Sequence, residues 1–427
     1  MEPARADSEA ARTRAFETDP SLVRFRTVVE GALAALEARR QEVNDLNVFP
    51  VADGDTGDNM ALTLRAVLAE LDRLAVLGEV DDIGRDQIVQ SVARAALLGA
   101  RGNSGVILSQ LIRGAAEELI SRPGELVDPV LIGAAMARAA DQAYGSVRDP
   151  AEGTVLTVVR EMATHVVSVL AHLDVPRLTH QVSDDEQDAA LADVLQEAVV
   201  AGEGSVKRGP DLLPVLREAG VVDAGGYGLL VIFSGMVAAL QGSDPPPLEH
   251  HAPARITHPQ HESSTHRYCV NFAVTGADLE PVASTHALEA LGDSVLVVGD
   301  AATLKVHVHT DDPDAATGVF AGAGTVSRLD VADMHEQVRE RERRLGPAAL
   351  CGGLAVVGGS GPGRRRGRRG RRRPCEPRQG SHPWRRRSRR RRVRRRGRRR
   401  RPARPAGSAW APRGRASRTA RRRARRP

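Results

Sequence analysis

Cysteine is scarce: Cys269, Cys351 and Cys375 in 427 residues are too few for a disulfide framework. The N-terminus, MEPARADSEAARTRAF, has no apolar stretch, so no secretory leader is expected. No uninterrupted apolar run reaches the roughly 18 residues of a membrane span, and none is expected. These absences make a cytoplasmic protein the expectation. Lysine is nearly missing, with only Lys207 and Lys305. No glycine-rich stretch is followed by Gly-Lys-Ser/Thr, which excludes a Walker-type phosphate loop. Strand-like alternation is almost absent before residue 243.

What is present is unevenly distributed. Residues 361–427 hold 32 arginines and one acid, Glu376, leaving 29 basic against 53 acidic residues before position 361. The overall charge of +7 therefore hides a strongly acidic body. Such a body is a poor binder of nucleic acid or anionic membrane, and it repels ATP unless metal ions screen the site. Two readings of the Arg-rich tail stay open. It is a nucleic-acid-binding arm, or it is a shifted reading frame of a GC-rich gene, whose codons encode Arg, Gly, Pro and Ala. In either case it lacks the apolar pattern of a core and is expected to be disordered.

Residues 1–18 read as a disordered lead-in. Asp19-Pro20 then has the form of a helix start, followed by Leu22, Phe25, Val29, Leu33 and Leu36 at helical spacing. Further helical patterns cover roughly 59–77, 86–98, 104–121, 128–145, 155–171, 187–202, 211–219 and 227–241, an all-α domain over 19–242. A Pro/His-rich linker follows at 243–266. Beyond it, YCVNFAV, SVLVVG, TLKVHVHT and TVSRLDV are strand-like, with THALEALG and DPDAATGVFAGAG helical between them. That β-α-β-β-α-β order over 267–345 predicts a small α+β sandwich of ferredoxin-like type, ending on the charged helix ADMHEQVRERERRL.

Chemistry concentrates in four glycine-bearing turns, each opening a helix. In LNVFPVADGDTGDNM, Asp53 and Asp55 flank a glycine and converge on one point. Crowded carboxylates repel unless a cation sits between them, and hard oxygen ligands suit Mg²⁺. The N–H groups and the Thr56 hydroxyl of the following helix start suit phosphate oxygens. The bland alternative is a solvated turn with a capped helix. In GARGNSGVILSQ, residues Gly99, Gly102, Ser104 and Gly105 form an anion cradle or a tight helix connection. EGTVLTVVR brings Glu152, Gly153 and Thr154 into a helix, and VVDAGGYGLL places Asp223 before a double glycine. Four such turns fit a helical bundle with a nucleotide site on one rim.

These motifs, in this order, closely resemble the dihydroxyacetone-kinase-like (DhaL) nucleotide-binding domain as it occurs in the ATP-binding component of fatty acid kinase. The resemblance covers about residues 20–242. It implies an antiparallel eight-helix barrel holding ATP and two Mg²⁺ at one end. It implies Asp53 and Asp55 as catalytic Mg²⁺ ligands, and Thr56, Gly57, Asn59, Asn103, Ser104 and Gly105 at the phosphates. Thr154, Asp223, Ala224 and Gly225 would lie near the nucleotide. The chain departs from the family in three places. Asn47 stands near where small kinase-subunit relatives have a third aspartate. Asp58 replaces a small neutral residue and reads as a helix cap. Tyr227 replaces a common glutamine.

In KVHVHTDDP, His307 and His309 share one strand face. The first and third strands of a ferredoxin-like order are neighbours, which brings Cys269 close to both. Cys/His/His is a competent zinc set, although paired strand histidines are more often plain core or surface residues. The resemblance continues over 267–337, and relatives hold zinc through such a set, implying Cys269, His307 and His309. The linker histidines His250, His251, His258, His261 and His266 are rival ligands. LCGGLAVVGGSGPG looks like the opening of the family's third domain, of which 346–360 would be a remnant.

The resemblance implies an ATP-dependent kinase that phosphorylates the carboxylate of a fatty acid held by a separate DegV-like binding protein. Homodimerisation is a further expectation. The alternatives are a dihydroxyacetone-type kinase subunit with another acceptor, and a nucleotide-binding or RNA-associated regulator acting through the tail.

Overall fold

Two kinds of periodicity divide the chain, and the computed structural model follows both. It describes residues 20–76, 84–122, 126–172, 178–179, 181–254 and 266–345. The lead-in, the third-domain remnant and the Arg-rich tail lie outside the described residues.

The first part is helical: α1 (Pro20–Leu46), α2 (Thr56–Val76), α3 (Arg85–Gly99), α4 (Gly102–Ser121), α5 (Pro129–Ser146), α6 (Val155–His172), α7 (Asp184–Leu212), the short α8 (Pro214–Ala219) and α9 (Ala224–Gln241). Each long helix packs on the next, and α9 packs on both α7 and α1, which closes a ring of eight. Local chemistry sets the helix starts. Asp128 accepts from Leu131 N–H ahead of Pro129, Ser183 and Glu186 form a reciprocal capping box, and Asp223 caps α9 through Gly226 N–H. The α1 stripe serves two cores. Leu36 joins the main interior with Met60, Leu156, Met162, Tyr227 and Leu230. Leu22 and Val29 join a smaller cluster with Leu71, Ile88 and Val92.

Three sequence expectations shift. α7 continues ten residues past 202, through Pro210, because the buried face Gly202, Ser205, Val206, Gly209 keeps helical spacing. The first half of the expected linker is strapped to the ring: Leu248 and Ala254 enter the main core, and Glu249 O accepts from the Tyr227 hydroxyl at 3.1 Å. Finally, α6 and α9 are long and apolar enough to cross a membrane by composition, against the expectation of no such segment. Both are walls of the ring. A helix apolar on most sides is also what a closed bundle needs, and α9 is largely buried there.

The second part is β1 (Tyr268–Gly276), α10 (Pro281–Glu289), β2 (Gly292–Gly299), β3 (Thr303–Thr310), α11 (Pro313–Gly318), β4 (Gly324–Asp333) and α12 (Met334–Leu345). The sheet order is β2-β3-β1-β4, with every neighbouring pair antiparallel. It is the predicted order, although α10 starts four residues early and α11 ends at Gly318. One sheet face buries Val270, Phe272, Val274, Leu304, Val306 and Val308 together with Leu288 of α10 and Ala316 of α11. The other face turns to the ring: Leu296 and Val298 pack with Leu97, Ala100 and Val106. With both faces covered, all of β3 is buried.

Candidate functional site

The acidic turn lies between α1 and α2. Gly54, at φ +75°, takes a left-handed conformation that lets the flanking carboxylates come together. Asp53 Oδ1 accepts from Asn47 Nδ2 at 2.5 Å, and Asp55 O accepts the first helical bond of α2 from Asn59 N–H. Burial pushes Asp53 well above the usual carboxylate range, and the Asp55 charge beside it adds to the shift. Burial also raises Asp55, opposed by hydrogen bonds from Asn59, Asp53 and Gln337. Two desolvated carboxylates side by side cannot both ionise cheaply without a cation. The residues present therefore fit a hard divalent metal. Asp58 stands apart from this pair in its bonding: Arg40 reaches it at 3.1 Å and Asn44 Nδ2 donates to it at 2.8 Å.

The glycine cradle meets this turn. Gly102, at φ +59°, lies so close to Asn59 that a Cβ there would sit 2.4 Å from Asn59 Nδ2. Ser104 Oγ lies 3.4 Å from Thr56 Oγ1. Not every expected donor is open. Asn44 Oδ1 accepts from Gly57 N–H at 2.7 Å and from Asp58 N–H at 3.2 Å. Gly105 N–H bonds back to Arg101 O. Among the described residues, the first-turn N–H groups of Asn103 and Ser104 are the ones left for an anion.

A second group gathers at α6 and α9. Asp223 accepts from Gly226, Val155 and Gly225 N–H groups, yet burial outweighs them and raises it to about 6. Thr154 Oγ1 donates to Ala151 O at 2.7 Å, so its hydroxyl closes its own turn. Gly228 of α9 lies against Met60 Sδ of α2, each four residues into its helix. The starts of α2, α4, α6 and α9 therefore share one end of the ring, with Ala224 and Gly225 in the α9 start.

The sheet brings the sulfur and both imidazoles together. Cys269 pairs with His309 across β1 and β3, and Cys269 Sγ lies 3.7 Å from His307 Nδ1. One ligand atom from each of the three residues falls within 4.8 Å of the others. All three are buried, and His307 Nε2 and His309 Nδ1 have no hydrogen-bond partner. Burial drives His307 well below its ordinary pKa and raises the Cys269 thiol, which Asp55 and Asp53 raise further. Unpartnered imidazole nitrogens beside a buried sulfur fit a soft or borderline metal such as zinc.

Comparison with known proteins agrees with this division. Residues 50–190 and 173–238 match the DAK2 domain, and residues 265–341 match the FakA-like middle domain of fatty acid kinase. The chain belongs to the proteins that join these two domains. Protein YloV of Bacillus subtilis (strain 168) is 33% identical over 331 residues, 73% of this chain and 56% of that protein. An uncharacterized protein of Staphylococcus saprophyticus is 32% identical, covering 73% and 55% respectively. The chain spans about half the length of these relatives. A solved dihydroxyacetone kinase from C. freundii in complex with AMP-PNP and Mg²⁺ overlaps 50% of this chain and 33% of its own, at 20% identity. Its TM-score of 0.34 is too slight a likeness to build on.

The middle domain sits against the glycine-turn end of the DAK2 domain. Asn271 Oδ1 accepts from Gly102 N–H at 3.0 Å and lies 3.0 Å from His307 Nδ1. Its Nδ2 donates to Cys269 Sγ. One buried amide thus joins the cradle to the Cys/His cluster. Val51, two residues before Asp53, packs with Cys269 and Met334. Gln337 Nε2 reaches Asp55 Oδ2 at 3.4 Å. Sequence reasoning missed Asn44, Asn271, Gln337 and Arg341. Period-two counting from Cys269 would have placed Asn271 on its face, but no local signal says where α12 docks.

Proposed function

We propose that this chain is an ATP- and Mg²⁺-dependent kinase subunit. It transfers the γ-phosphoryl group to the carboxylate of a fatty acid held by a separate DegV-like binding protein, giving an acyl phosphate. The observation that carries the reading is the meeting of Asp53 and Asp55 with the Ser104 cradle at the rim where four helices open. The matched DAK2 domain and fatty acid kinase middle domain support the reaction class.

In this reading Asp53 and Asp55 hold the metal, with Asn47 and Asn59 orienting their carboxylates. Thr56, Ser104 and the first-turn amides of α4 hold phosphate oxygens. Asp223 holds the α6 and α9 starts together beside the nucleotide. Mg²⁺ bound there supplies charge neutralisation, which offsets the repulsion between an anionic acceptor and the triphosphate. A fatty carboxylate is already ionised near neutral pH. No general base is needed, so the protein contributes positioning and electrostatics. Cys269, His307 and His309 hold a zinc ion that stiffens the face of the middle domain turned to the DAK2 domain. The setting is the cytoplasm, where ATP is supplied.

The test is calorimetric titration with Mg²⁺-ATP, followed by acyl phosphate assay with an acyl-loaded partner and with dihydroxyacetone as the rival acceptor. Binding by the wild type and none by Asp53→Ala or Asp55→Ala is expected. Wild-type affinity in both variants would sink the site assignment, and turnover of dihydroxyacetone alone would replace the acceptor.

A further inference from the structure

The last helix of the middle domain lies across the acidic turn. Met334 and Val338 of α12 pack with Val51 and Cys269, and Arg344 pairs with Asp45. On the same side, Gln337 and Arg341 are one turn apart, a spacing that puts both on one face. Arg341 reaches directly onto Gly54: a Cβ on that glycine would lie 2.7 Å from Arg341 Cδ and 3.3 Å from its Nε. The guanidinium is thus held beside the peptide that separates Asp53 from Asp55.

Its bonding is incomplete. Arg341 is only 2% exposed. Nη2 donates to Asp45 O at 2.9 Å, while Nε and Nη1 have no hydrogen-bond partner among the described residues. Gln337 Oε1, beside it, is also unpartnered. Buried polar groups are almost always satisfied, and an arginine carries five fixed donors. A purely structural arginine would be expected to use more of them. Burial lowers its pKa against the attraction of Asp45 and Asp53, so the charge is held here at a cost in stability. Donors left open beside a metal-type carboxylate pair suit an anion carried by that metal.

We propose that Arg341 is a phosphate ligand of the bound nucleotide, supplied to the DAK2 site by the middle domain. The proposal rests on the reading of Asp53 and Asp55 as the metal-nucleotide site. It makes nucleotide affinity depend on the docking of the second domain, with Gln337 lining the same face.

The full chain tests this by calorimetric titration with Mg²⁺-ATP, with apo melting measured in parallel. Arg341→Met keeps the side chain's bulk and removes its charge. It should weaken Mg²⁺-ATP roughly ten- to hundredfold, the worth of one or two charge-assisted hydrogen bonds. The apo melting temperature should stay level or rise, because an incompletely bonded buried charge is gone. Arg341→Lys keeps the charge without the planar fork and should fall between the two. It also serves as the deciding variant should the methionine form not fold. Wild-type affinity in either variant overturns the proposal. Tighter binding overturns it too, and identifies Arg341 as a plug over the carboxylates. A wild type that does not bind Mg²⁺-ATP takes down the underlying site reading and this inference with it.

Discussion

The acidic turn of the DAK2 domain and the Cys/His cluster of the middle domain are opposite in chemistry and alike in predicament. In the turn, burial raises Asp53 and Asp55. In the sheet, burial lowers His307 and raises Cys269. Desolvation favours the neutral form of each group, whatever its sign. Both clusters are packed tightly enough to lose water and are left with atoms suited to a cation. One offers hard oxygens and the other nitrogen and sulfur, so they are expected to select different metals. They also meet: Val51 packs on Cys269, and Asn271 bonds to both Gly102 N–H and Cys269 Sγ.

The sharpest way to break this comparison is at the carboxylates. Asp53→Ala and Asp55→Ala should each weaken Mg²⁺-ATP by on the order of a hundredfold or more, since the metal supplies several kcal/mol of charge neutralisation. Their apo forms should melt no lower than wild type, because a desolvated repulsive pair has been relieved. A large drop in apo melting temperature would mean the pair is structural. The matching experiment on the sheet is metal analysis. One zinc per chain is expected, lost when His307 and His309 are both changed to Ala. A full equivalent retained by the double variant would move the site to the linker histidines.

A smaller effect is expected at the junction. Asn271→Ala leaves buried Gly102 N–H without its acceptor and removes a neighbour of His307. It should cost about 1–3 kcal/mol in denaturant unfolding. Asn271→Asp keeps the acceptor but adds a buried charge near Asp53 and Asp55, and should be worse in the apo protein. Equal stability of the alanine variant and wild type would separate the two clusters. The smallest effect belongs to neither region. Deleting residues 361–427 should leave melting and nucleotide affinity unchanged, since that segment has too few apolar residues to join a core. It should abolish non-specific, steeply salt-dependent RNA binding, which its 32 arginines would otherwise give by counterion release.

Much of this architecture is written locally. The helices of the ring show 3.6-residue periodicity and their own caps, as at Asp128, Ser183 and Asp223. The strands of the middle domain alternate with period two, and their order alone places Cys269 next to His307 and His309. Asp53 and Asp55 are legible because two carboxylates around one glycine before a helix is a short-range pattern. Helix lengths were less legible where burial extended a pattern through a breaker, as at Pro210.

The sequence by itself therefore determined the two domains, the four glycine turns and the metal-type residues, because each depends on neighbours within about one or two turns of chain. Only the tertiary structure decided what faces those residues. Asn44 takes the Gly57 amide that would otherwise be open, Arg40 and Asn44 draw Asp58 away from the pair, and Asn271 closes on Gly102 from another domain. Arg341 reaches Gly54 across almost three hundred residues of chain. Such contacts have no periodic signature. They arise when two buried surfaces exclude water together, and the polar groups caught between them must then find one another or a ligand.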